Sequence, residues 1–262
     1  MSTDKMIARK ADGIGWMIFN NPERHNAVSL EMWEAGIEII EDFRRDDAVR
    51  VIVVRGAGEK AFVSGADISK FGDERAQQDA VQRYDTATES FYTGLLTAPK
   101  PTIAMIQGYC IGGGANLAVC CDLRICSENA KFAIPAAKLG LGYGYTRVRR
   151  LLDVVSPAFA KEIFFTARQF TAEEARIMGL VNRVVPQGEL EPFVTDYARQ
   201  IAENAPLTVT AIKQIVGEAV KDPSERDLAL CDRLVRECFE SQDYVEGRRA
   251  FAETRKPVFQ GR

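Results

Sequence analysis

The sequence predicts an α/β core followed by a helical C-terminal part. Three observations predict it. Short apolar runs of strand length alternate with amphipathic helical patterns over residues 13–126. An uncharged stretch over 101–121 joins a strand-like run to a glycine cluster and a helix-like run. From about residue 190 onward, helical pattern follows helical pattern, broken only at Pro206 and Pro223. The boundary is placed there, with the core over residues 1–190 and the helical part over 191–262.

Each element has a local reason. Residues 13–20 (GIGWMIFN) form a strand that ends in a loop, Asn21-Pro22-Glu23-Arg24-His25-Asn26. Ser29 is expected to cap a helix whose apolar residues Trp33, Ile37, Ile40 and Phe43 recur at helical spacing. Residues 51–55 form a short apolar strand stopped by Gly56 and Gly58, and residues 62–68 form a glycine-containing turn. Residues 80–97 read as a helix with Val81, Tyr84, Phe91 and Leu95 on one side, ended by Pro99 and Pro101. Residues 102–107 are the next strand, followed by the glycine cluster, a helix to Cys121 and a strand over 123–126. Ser156-Pro157 places a cap before a proline at the first helical position, opening a helix to Ala167. Thr171-Ala172-Glu173-Glu174 has capping-box spacing, and Gly179 stops that helix.

Bulk properties narrow the function classes. The chain has 262 residues, 46% hydrophobic and 27% charged, with a net charge of −3. A chain of this length buries roughly 70–75% of its unfolded surface. There is no basic excess to neutralise phosphates, which argues against a nucleic-acid partner. With one histidine and no C-x-x-C pair among the six cysteines, a metal site is not expected. The cysteines, as in Ala118-Val119-Cys120-Cys121, read as small buried hydrophobes in a reducing cytoplasm. The polar start Met1-Ser2-Thr3-Asp4-Lys5 does not resemble a secretory signal. Residues 101–121 have the length of a membrane span, but Pro101, Gln107, Gly108, Gly112, Gly113, Gly114 and Asn116 favour a buried strand, a turn and a buried helix.

Two segments carry the chemistry. One is Phe62-Val63-Ser64-Gly65-Ala66-Asp67-Ile68, the other Ile106-Gln107-Gly108-Tyr109-Cys110-Ile111-Gly112-Gly113-Gly114-Ala115-Asn116. In the second, glycines open a helix. The first N–H groups of a helix have no internal partner, and its dipole favours negative charge there. Glycine lets a ligand approach the backbone. Residues 112–114 therefore suit an oxyanion, or equally a tight packing turn. No P-loop, complete dinucleotide fingerprint or nucleophile elbow is present. Catalysis by an imidazole could run only through His25, whose loop position equally suits a structural role.

Taken together, these segments resemble the crotonase superfamily, the enoyl-CoA hydratase/isomerase family. The resemblance extends through Asn21-Pro22 with Asn26-Ala27, Cys121-Asp122, Ala130-Lys131-Phe132, residues 172–181 and the tail Arg255-Lys256-Pro257-Val258-Phe259. It implies a spiral of ββα units with a helical C-terminal part that builds a homotrimer or homohexamer. It implies an acyl-CoA thioester substrate, with coenzyme A entering as part of the substrate and no other cofactor. The N–H groups of Ala66 and Gly113 would form the oxyanion hole. Arg24, His25, Ala27, Ser64, Gly65, Asp67, Ile68, Tyr109, Gly112, Pro135, Ala136 and Lys256 would line the thioester and coenzyme A surface.

The resemblance also exposes a departure. Family hydratases carry two glutamates, one three residues after the middle glycine and one after a proline that follows the Ala-x-Phe segment. Here those positions hold Asn116 and Ala136. An amide side chain takes no proton at neutral pH, and a methyl group none at all. The loop Gly140-Leu141-Gly142-Tyr143-Gly144-Tyr145 offers phenols in place of an acid. Tyr143 falls where the methylmalonyl-CoA decarboxylase branch has a tyrosine, although that branch has an imidazole in place of Ala66 and a carboxylate in place of Asn116. The expectation is a divergent hydratase-like enzyme with Ala66, Gly113, Asn116 and Tyr143 at its centre. A decarboxylase, a hydrolase and a non-catalytic thioester binder are the alternatives.

Overall fold

A computed structural model of the chain describes residues 3–67 and 78–262. Its strands run β1 (Met6–Ala11), β2 (Ile14–Phe19), β3 (Val51–Gly56), β4 (Ala61–Val63), β5 (Thr102–Ile106), β6 (Tyr109–Ile111), β7 (Leu123–Ser127), β8 (Lys131–Ala133), β9 (Phe170–Thr171) and β10 (Arg183–Val185). They form a six-stranded sheet, β1-β2-β3-β5-β7-β10, and a four-stranded sheet, β4-β6-β8-β9. The pairs β3/β4, β5/β6 and β7/β8 each send their first strand to the large sheet and their second to the small one. Helix α2 (Gln78–Leu96) follows the first pair and α3 (Gly113–Val119) the second. This alternation is the spiral of ββα units that the sequence implied.

The central strands are apolar throughout because both faces of the large sheet are covered. Met17, Phe19, Ile52, Val54, Ala104 and Ile106 face the main core, with Trp33, Ile40 and Phe43 of α1 (Leu30–Arg45) and Phe91 of α2. Ile14, Trp16, Val51, Val53, Ile103 and Met105 face the other way, against Leu190, Val194 and Ala198 of a helix over Leu190–Ala202. Fully burying side chains of this size is worth about 1.5–3 kcal/mol each.

Three further helices end the chain, Pro206–Ala219, Leu228–Glu240 and Gln242–Ala252. Asp122 ties them to the core. It accepts from the backbone of Thr102 at 2.7 Å and from Lys213 Nζ at 2.8 Å. Among the described residues, no helix is long and apolar enough to cross a membrane.

The structure corrects several local expectations. Ser29 stands at the N-cap of α1, but its side chain makes no cap hydrogen bond and instead reaches Glu31. The helix expected to reach Cys121 ends at Val119. The turn expected over 62–68 begins as strand β4. Strands β1, β6, β8, β9 and β10 lack a sequence counterpart. Five of the six β1 residues are exposed, so this edge strand has no apolar run to betray it. The capping box at Thr171 is present, and Ser156 accepts from Phe159 N.

Candidate active site

One wall of the main cavity is backbone. Val28 N donates to Gly65 O at 2.9 Å, and Asp67 N donates to Val28 O at 3.0 Å. Ala66 lies between these two bonds in an extended bridge, so its own N–H points away from Val28. No acceptor within the described residues takes it. Gly112 N is used, donating to Ala133 O at 2.7 Å. Gly113 N, one residue on, is the first N–H of α3 and has no acceptor. The two segments touch, since a Cβ placed on Gly65 would lie 3.7 Å from Gly113 N.

Glycine is required in this cluster for two different reasons. Gly112 has φ +57°, in the left-handed region, with nothing within 4 Å of where a Cβ would stand. Gly114 packs directly on the carbonyl of Val63, and a Cβ there would overlap it. That contact seats α3 against β4 and holds Gly113 N beside Ala66.

The other wall is made of side chains. The cavity, about 410 Å³, is lined by Ala66 and Gly113 and by Tyr84, Thr88 and Tyr92 of α2, Asn116 of α3, Tyr143, and Arg147 of α4 (Tyr145–Leu152). That volume suits a small-molecule site. The Trp33 indole donates to the Tyr84 hydroxyl at 3.0 Å, which donates to Val28 O at 3.2 Å. The Tyr92 hydroxyl donates to Gly113 O at 3.0 Å. Burial pushes the Tyr92 phenol well above its usual range, and pushes Tyr143 up to about 12. Both phenols stay neutral at physiological pH. Asn116 is 3% exposed and its Nδ2 has no hydrogen-bond acceptor, although the amide lies beside the Tyr92 phenol. Pro135 and Ala136 complete the lining, where no aspartate, glutamate, histidine or cysteine appears among the described residues.

The remaining expected site residues lie around this centre or apart from it. Ser64, Gly65 and Gly112 line the cavity with Asn116 and Tyr143. Arg24, His25, Ala27 and Asp67 do not line it but are chain or hydrogen-bond neighbours of this region. Ser64 N donates to His25 O at 3.1 Å, and Arg24 stands 3.3 Å from the Asp67 carboxylate. The buried Asn26 locks this region to the core by donating to Ala57 O and Ala61 O. Tyr109 does not line the cavity and packs its ring on His25, centroids 5.7 Å apart. Lys256 lies in a separate groove, 3.3 Å from Glu203. Ile68 lies outside the described residues. Cys110, Cys120, Cys121 and Cys126 are buried, and burial raises the Cys120 and Cys126 thiols to about 12, so they are inert hydrophobes.

Sequence reasoning missed Thr88, Tyr92 and Arg147. Tyr84, Thr88 and Tyr92 recur every fourth residue, a stripe that α2 turns toward the cavity. For Arg147 no such signal exists, because it stands among three arginines within four residues.

Comparison with known proteins identifies the family and the fold. The family model described as enoyl-CoA hydratase/isomerase matches residues 9–262. The short-chain-enoyl-CoA hydratase of Clostridium acetobutylicum is 32% identical over 98% of this chain and 97% of its own length. The carnitinyl-CoA dehydratase of Escherichia coli O157:H7 is 38% identical over 90% of this chain and 91% of its own. A crystal structure of an enoyl-CoA hydratase/carnithine racemase from Magnetospirillum magneticum superimposes with a TM-score of 0.94 at 35% identity, covering 100% of this chain and 97% of that one. With a matching model across nearly its whole length and the same fold in its relatives, the chain belongs to the enoyl-CoA hydratase/isomerase family.

Proposed function

We propose that the chain is an acyl-CoA-processing enzyme that polarises a thioester carbonyl between the N–H groups of Ala66 and Gly113 and stabilises the resulting enolate. The observation that carries this reading is the pair of unused N–H groups on one wall of a mostly apolar cavity. Each such donor contributes about 3–4 kcal/mol to transition-state stabilisation. Coenzyme A enters with the substrate, and enolate formation needs no further cofactor.

The enzyme is a divergent hydratase. Adding water to an enoyl thioester calls for a base toward water and an acid toward the α-carbon, each worth about 10²–10⁴-fold. Asn116 and Ala136 supply neither. A substrate that carries its own leaving group avoids the need. In decarboxylation the C–C bond to the carboxylate breaks, its electron pair enters the thioester as the enolate, carbon dioxide leaves, and water returns a proton. The buried donors of Asn116 and Tyr143 favour this second reading, because they can orient a carboxylate against the oxyanion hole. Hydrolysis of a saturated thioester would use the same hole.

The test is turnover of crotonyl-CoA, methylmalonyl-CoA and saturated acyl-CoAs by the full chain. Turnover that disappears in a folded Gly113→Pro variant supports the reading. Binding without turnover across the panel would instead assign a non-catalytic thioester binder.

We further propose a homotrimer or homohexamer in the cytoplasm. Ile212, Val216, Phe239 and Phe251 on the last helices are exposed apolar side chains of the kind that subunit contacts cover. Light scattering on the eluted protein reads the state directly.

A further inference from the structure

Helix α4 carries three arginines in very different situations. Arg149 pairs with Asp153 one turn on, and Arg150 is buried in a two-pronged pair with Glu89. Among the described residues, Arg147 donates no hydrogen bond. Its one ionic neighbour there is Asp85, at 3.6 Å, beyond the 2.7–2.9 Å of a charge-assisted bond, with a carboxylate more than half exposed. The Asp85 carboxylate does not line the cavity, whereas Arg147 does. A guanidinium has five N–H donors in a rigid fork that matches a carboxylate. Here that fork faces a cavity walled by Trp33, Ile134, Leu139 and Leu141, with no counter-charge among its described lining residues.

A second observation points the same way. Among the described residues, Asn116 Nδ2 has no acceptor at full hydrogen-bond geometry, the Tyr92 phenol being its polar neighbour, and its side chain is more than nine-tenths buried in the same cavity. An orphaned buried donor is destabilising unless a ligand supplies the acceptor. Tyr92 lies between the two ends of the cavity, because its hydroxyl touches Gly113 O while Arg147 lies close enough to favour its anionic form. The cation therefore lines the same cavity as Ala66 and Gly113. The cation of Arg24 stands instead against Asp67.

We propose that the site selects short acyl-CoA thioesters whose acyl chain ends in a carboxylate, with Arg147 as the residue that binds this terminus. Asn116 Nδ2 donates along the way. This rests on the thioester reading above and adds the substrate class. It also sets the chain apart from its carnitinyl-CoA relatives, since a trimethylammonium terminus would meet the guanidinium charge.

The test is calorimetric binding of three thioesters of similar size by the full chain: glutaryl-CoA, pentanoyl-CoA and 4-(trimethylammonio)butyryl-CoA. Glutaryl-CoA is expected to bind about tenfold or more tightly than pentanoyl-CoA, the gain of one charge-assisted pair, and the cationic thioester most weakly. Arg147→Gln should erase that order by weakening glutaryl-CoA about tenfold more than pentanoyl-CoA, and Arg147→Lys should restore part of it. Asp85→Asn breaks the same ion pair but leaves the cation in place, so it should keep the preference. Equal binding of glutaryl-CoA and pentanoyl-CoA overturns the proposal while leaving the thioester reading intact. An equal loss for all three thioesters in Arg147→Gln also overturns it, by assigning the arginine to coenzyme A or to the fold. Failure of every thioester to bind overturns the thioester reading and this proposal with it.

Discussion

The cavity has two walls built on different principles. The backbone wall presents peptide N–H groups from residues 66 and 113, held by strand pairing to Val28 and by the seat of Gly114 on Val63. The opposite wall presents side chains from α2, α3 and α4, held by the packing of Phe91, Trp33 and Phe19 behind them. On the proposed function, the first wall would serve what all thioester substrates share, a carbonyl that gathers negative charge, and the second would meet what distinguishes them, the far end of the acyl chain. That reading separates reactivity from selectivity between the two walls.

Perturbing each wall separately tests that division. The largest effect is expected from Phe91→Ala, which empties a fully buried ring site behind the side-chain wall and should cost about 3–5 kcal/mol of stability by denaturant unfolding. Substrate discrimination should loosen at temperatures where the variant is still folded. Next, Gly113→Pro removes one donor of the backbone wall and should lower kcat about 10²–10³-fold for every thioester alike. A variant that kept full turnover would remove Gly113 from the mechanism. Tyr143→Phe deletes a single buried hydroxyl, and steady-state kinetics should show about a twofold to tenfold loss confined to acyl groups that reach it.

The smallest expected effect is none at all. Because burial pushes Tyr143 up to about 12 and Tyr92 well above the usual phenol range, neither phenol ionises across the neutral range. The pH profile of kcat/KM should therefore be flat from about pH 6 to about pH 9, where a pair of catalytic carboxylates would give a bell. These phenols show themselves only in alkali. Their folded-state acidity is weaker than that of the unfolded chain, so above about pH 10 the unfolded state sheds protons first and stability falls. Tyr143→Phe should reduce that alkaline loss in thermal melts.

The two walls were also unequally legible. Glycine has meaning at its own position, because a left-handed φ at residue 112 or a direct backbone contact at residue 114 admits little else. The glycine cluster could therefore be located from the sequence, its pairing with Ala66 came from the family resemblance, and the apolar runs of β3 and β5 read as buried strands. Arg147, Thr88 and Tyr92 acquire their roles only when α2 and α4 meet across the cavity. Three arginines in four residues look alike until Arg149 pairs with Asp153 one turn on and tertiary packing gives Arg150 to Glu89. Ser29 failed for a related reason, since its hydroxyl found Glu31 instead of the helix backbone. Edge strand β1 pairs through its backbone while its side chains face solvent, which leaves no pattern to read.

The two peptide donors have a consequence for how such a site can change over time. Every residue except proline carries an N–H, so most single substitutions at position 66 or 113 leave the donor itself in place. What such changes can disturb is placement, and placement is fixed by the Val28 bridge and the Gly114 seat, away from the substrate. The side chains beside the hole are free of that constraint. On the reading proposed above, side chains at positions 116 and 136 can change and one reaction give way to another, while the two peptide donors stay as they were.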